Sequence, residues 1–89
     1  MVVIVLSFDV IWENIENLAG EQFFTKTGLP FTYRIVEGCV VPDRTNFPLE
    51  KSNFEKAASI EKLSGPGQIN KLVWGPAYVF AILTDDRIR

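Results

Sequence analysis

The run Phe31-Thr32-Tyr33-Arg34-Ile35-Val36-Glu37-Gly38-Cys39-Val40-Val41 carries the fold class. Phe31, Tyr33 and Ile35 alternate with Thr32, Arg34 and Val36, which lays one aromatic face and one mixed face along a strand. Glu37-Gly38 follows as a two-residue connection whose glycine tolerates positive φ. A tight hairpin into Cys39-Val40-Val41 is the natural reading, with Pro42-Asp43 ending its second arm.

Upstream, residues 21–27 read as another strand, with Phe23 and Phe24 on opposite faces and Gly28-Leu29-Pro30 as the break. Before it, Ile11, Ile15, Leu18 and Ala19 recur at helical spacing behind the N-cap candidates Ser7 and Asp9, so a helix is expected over 9–19. Downstream, residues 44–49 suit a short edge strand, because Pro48 cannot donate to a ladder. Ser52-Asn53-Phe54-Glu55 has the spacing of a capping box and predicts a helix over 53–63. Gly65-Pro66-Gly67 is a loop, 68–74 a short helix, and 77–83 a further helix behind Gly75-Pro76. Over those last seven residues, Tyr78, Val79, Phe80 and Ile82 suit a buried strand equally well. Together these readings give an α+β class: a small antiparallel sheet with a β-hairpin packed against about three helices, in a single domain over 1–89.

Composition narrows the chemistry. The chain has 89 residues, 47% of them apolar, a net charge of −2, no histidine and one cysteine. Without imidazole there is no neutral-pH proton shuttle, so serine–histidine and cysteine–histidine catalysis within one chain are excluded. Cys39 alone builds neither an intrachain disulfide nor a zinc site, and a solitary thiol fits a reducing cytoplasm. In its strand context it reads as a small apolar residue. The carboxylate pairs Glu13/Glu16 and Asp85/Asp86 fall in segments expected to be solvated, where acid–base tuning and tight magnesium binding both lack support. Neither glycine cluster has the form of a phosphate-binding loop. Met1–Leu6 is apolar but far short of the roughly 20 residues that span a bilayer, and no basic residue precedes Lys26, as a secretory signal would require. No catalytic residue, metal, cofactor or membrane contact is therefore expected.

Two contact readings lead, with an enzyme assembled only across subunits as the third. Residues 1–24 hold four acidic groups and no basic one, whereas all nine lysines and arginines follow. Lys26, Arg34, Arg44 and Lys51 are interleaved with threonines and Asn46, a composition able to neutralise and hydrogen-bond phosphates. The leading expectation is a non-catalytic binding module with nucleic acid as its ligand. The alternative is a protein-interaction or self-assembling, homodimeric unit, drawn from Val3 and Val5 in the apolar first segment and from Trp12, Trp74 and Tyr78, with Phe80, as exposed aromatic candidates.

The segments Glu21–Val36, Pro42–Asn46, Lys51–Ala57 and Gly75–Leu83 together resemble a small, functionally uncharacterised bacterial domain family. That resemblance implies one compact prokaryotic unit and brings no secure activity with it. Trp74 and Ala77 stand where its pattern leads one to expect a basic residue and a serine, so an anion contact at those positions does not carry over.

Overall fold

A computed structural model describes residues 7–45, 47–60 and 63–89. Among them the elements run α1 (Phe8–Asn17), β1 (Phe23–Phe24), β2 (Pro30–Phe31), β3 (Tyr33–Val36), β4 (Cys39–Pro42), β5 (Leu49–Glu50), α2 (Lys51–Ala58), a 3₁₀ turn (Pro66–Ile69) and α3 (Pro76–Leu83). Two antiparallel sheets result, one of β1 and β2 and one in the order β3-β4-β5. The class is α+β, as expected.

The hairpin forms where the alternation places it. Tyr33 pairs with Pro42 and Val36 with Cys39, and Glu37 and Gly38 both take positive φ, 51° and 77°. Positive φ at both central residues marks the turn type whose twist matches the flanking strands. The aromatic run is nevertheless cut at Thr32. Asp43 takes that residue out of the ladder by accepting from its N–H at 3.0 Å and donating its own N–H to its carbonyl at 2.8 Å.

Several expected boundaries shift, each for a local reason. The strand expected over 21–27 shrinks to β1, because Thr25 closes a turn by accepting the Leu29 N–H on its hydroxyl and the Gly28 N–H on its carbonyl. The edge strand narrows to β5, which leaves Pro48 outside the ladder. The capping box does not form: α2 begins at Lys51 behind Glu50, and Ser52 already lies inside it. Starting the helix directly on β5 lets Leu49, Phe54 and Ala57 all bury. The helix stops at Ala58 rather than 63, where the Ser59 hydroxyl donates back to the Lys56 carbonyl; Glu61 and Lys62 lie outside the described residues. The helix expected over 68–74 is only the 3₁₀ turn, tied by the Gln68 carboxamide, which accepts the N–H groups of Ser64 and Gly65.

Residues 76–83 are helical. Proline at the first position is already compatible with helix geometry, and Val79, Ala81, Ile82 and Leu83 bury on more than one side, as an all-apolar helix must. The core joins these residues to Ile15 of α1, Phe23 and Phe31 of the smaller sheet, and Phe54 of α2. Trp12, beside the apolar stripe of α1, packs in the core rather than serving as an exposed interface candidate: it is only 7% exposed, with its ring 5.8 Å from that of Phe54. Tyr78 is half-buried, edge-on to Phe31 at 5.0 Å. Phe80 is half-buried as well. Val3 and Val5 lie outside the described residues.

Candidate functional site

The four basic residues of the nucleic-acid reading sit on separate local frames. Lys26 donates to the Ser64 carbonyl at 3.1 Å and lies 5.9 Å from the Phe80 ring. Arg44 donates from Nε to the Pro30 carbonyl at 2.6 Å. Lys51 stands over the rings of Trp12 and Phe8, at 5.7 and 6.0 Å. Arg34 borders a shallow cleft on the outer face of β3 and β4, beside Cys39, Glu37 and Pro48. All four are exposed, but among the described residues no contact joins any two of them, and three are already occupied within the chain.

A different surface is built as a unit. Gly75 takes φ 59° in the left-handed region, and a Cβ there would stand 2.9 Å from Cδ2 of Leu49. That close approach clamps the loop before α3 onto β5. Val73, buried, anchors the same loop from the other side. Trp74 lies between these two anchors, and Phe47 lies two residues before Leu49, so the clamp sets the two rings side by side. Their centroids are 5.5 Å apart. Trp74 is 68% exposed and Phe47 48% exposed, an apolar platform left in water.

A cleft of about 310 Å³ borders the platform, lined by Phe47 and Trp74 on one side and by Glu50, Ser52, Asn53 and Lys56 on the other. Ser52 and Asn53 precede Lys56 by four and three residues, so one face of α2 presents all three. On the far side of Trp74 a second, open cleft runs past Asn70, Lys71 and Leu72. Lys56 and Lys71 thus flank the rings, and among the described residues neither is in an ion pair.

The groups with displaced pKa values lie elsewhere and act structurally. Arg87 donates to Asp85 at 2.9 Å and to the Gln22 carbonyl at 2.9 Å while its guanidinium lies 4.3 Å from the centre of the Phe23 ring. That hydrogen bond holds the Asp85 carboxyl below its usual range. Tyr33 donates to the Ile15 carbonyl at 2.6 Å, and burial pushes its phenol well above the ordinary value. These contacts fasten the C-terminal turn and α1 to the sheets.

No family model, curated protein or solved structure matches the chain. The segment resemblance therefore adds no site residue, and the site rests on geometry. Among the described residues, no group of three or more histidine, cysteine, aspartate or glutamate side chains could hold a metal ion. No helix among them is long and apolar enough to cross a membrane.

Of the candidates named from the sequence, the structure sets Trp74 in this platform. Phe47, Asn53, Lys56 and Lys71 are added by it. A signal for the rings was present: Phe47 directly precedes Pro48, and Trp74 precedes Gly75-Pro76. Aromatics beside such breaks are held in loops rather than inside helices or strands.

Proposed function

We propose that the chain is a small non-catalytic binding module that holds single-stranded nucleic acid against the Phe47–Trp74 platform. The observation that carries the reading is the exposed ring pair flanked by Lys56 and Lys71. Unpaired bases stack on exposed aromatic faces for about 1–3 kcal/mol each, and neighbouring cations neutralise the phosphates. A duplex offers no free base face, so single strands are preferred. Lys26, Arg34, Arg44 and Lys51 then serve as outlying charge rather than as the site.

Trp74 reports directly on this surface, because Trp12 is buried. Its fluorescence, titrated with single-stranded RNA, single-stranded DNA and duplex at several salt concentrations, tests the reading. Quenching by single strands that weakens with salt is the expected result. Absence of binding to every strand at low salt overturns it.

The rival reading, a protein-interaction or homodimeric unit, is favoured by the net charge of −2 and by Leu72, 51% exposed, beside the rings. Sedimentation separates the two. A dimer that Trp74→Ala converts to monomer supports self-assembly.

A further inference from the structure

The cleft beside the platform is lined by an amide whose side chain is otherwise largely buried. Asn53 is only 7% exposed, yet its carboxamide takes no hydrogen bond among the described residues. No fully buried side-chain nitrogen or oxygen among those residues lacks a partner, so this carboxamide must open on the cleft that Asn53 lines. An amide held in place by a largely buried side chain and reached only from the cleft is a pre-positioned donor and acceptor for a ligand there.

The surroundings specify what that ligand carries. Glu50 caps α2 without a side-chain hydrogen bond, so the first-turn N–H groups of this eight-residue helix retain their donor capacity. Ser52 and Lys56 lie beside Asn53 on the same face, adding a hydroxyl and an ammonium. Helix-end N–H groups, a hydroxyl, an amide and an ammonium together match a phosphate. The opposite wall is aromatic and matches a base. At about 310 Å³ the cleft lies at the small end of ligand sites.

We infer that this cleft binds a nucleoside 5′-phosphate, as a free nucleotide or as the 5′ end of a strand, with its phosphate toward Ser52, Asn53 and Lys56 and its base on Trp74. The inference rests on the platform reading above for its aromatic wall. Glu50, the carboxylate in the lining, repels phosphate and fixes the orientation by accepting from sugar hydroxyls.

Calorimetric titration with adenosine 5′-monophosphate, adenosine and inorganic phosphate tests the pocket, and 5′-phosphorylated and 5′-hydroxyl forms of one oligoadenylate distinguish the two sources. The monophosphate should bind about tenfold or more tightly than adenosine or phosphate alone. A matching preference for the 5′-phosphorylated strand assigns the site to strand ends, and equal strand affinities assign it to free nucleotide. Asn53→Asp and Lys56→Gln should each abolish the phosphate advantage; Lys56 is exposed, so that variant stays informative if the buried aspartate unfolds the chain. A monophosphate no tighter than adenosine, or an advantage unchanged in Lys56→Gln, overturns the pocket. Strands that bind regardless of their 5′ group, with no gain from the monophosphate, remove the pocket and leave the platform. Monophosphate binding without strand binding does the reverse.

Discussion

The two tryptophans separate a packing ring from the ring of the proposed binding platform. Trp12 lies against Phe8 and Phe54 in the core, and its truncation to alanine should cost about 3–5 kcal/mol. Trp74 is 68% exposed, so Trp74→Ala should change stability by less than about 1 kcal/mol while removing strand binding. Urea midpoints and fluorescence titration measure both. A large loss of stability in Trp74→Ala would make that ring a packing residue. Tyr33 supplies a pH signature. Its folded pKa is raised by burial, so the folded state holds the phenolic proton more tightly than the unfolded chain. The resulting stability is fully present below the unfolded value of about 10 and falls as pH rises above it. Urea unfolding from about pH 8 upward should show that decline. Tyr33→Phe should begin about 1–2 kcal/mol lower, because the Ile15 carbonyl loses its donor, and should lack this part of the decline.

Turns, rather than strands or helices, set the geometry that matters. Glu37 is a non-glycine residue at φ 51°, which costs about 1–2 kcal/mol for an ordinary side chain and less for asparagine. Glu37→Asn should therefore raise stability by about 0.5–1 kcal/mol with the hairpin unchanged. Gly75→Ala should do the opposite. It forces a left-handed alanine whose Cβ meets Leu49, itself 1% exposed and unable to swing away. A loss of about 2–4 kcal/mol is expected, together with weaker strand binding as the Trp74 loop lifts from Phe47. The same contrast explains what could be read from the sequence. The hairpin was legible because alternation and a two-residue turn are local patterns; the start of α3 was marked by Gly75-Pro76, but its all-apolar run left helix and strand open until burial on more than one side decided for the helix. The capping box at Ser52 misled, because burial of Leu49, Phe54 and Ala57 is a long-range demand that overrode a local cap. Thr25 and Asp43 shortened strands through hydrogen bonds that composition does not announce.

The candidate site was barely legible, since its ring pair forms only because Gly75 presses one loop onto Leu49 of another. Sequence charge pointed to Lys26, Arg34, Arg44 and Lys51, whereas folding gathers Lys56, Lys71 and two rings that lie far apart along the chain. Salt dependence distinguishes these two surfaces. For single strands the slope of log affinity against log salt is about −0.7 per phosphate neutralised. If Lys56 and Lys71 alone contact the strand, the slope should be about −1.4; if the four outlying cations join them, it should approach about −4. A chain with a net charge of −2 repels a long polyanion beyond its local contacts, which favours the shallow slope. Affinity measured over a series of salt concentrations should give that shallow value, and Lys71→Gln should reduce it by about half. A slope near −4 that is insensitive to Lys71 would move the strand onto the broad basic surface, and a slope of zero would point to an uncharged contact and thus to a protein partner.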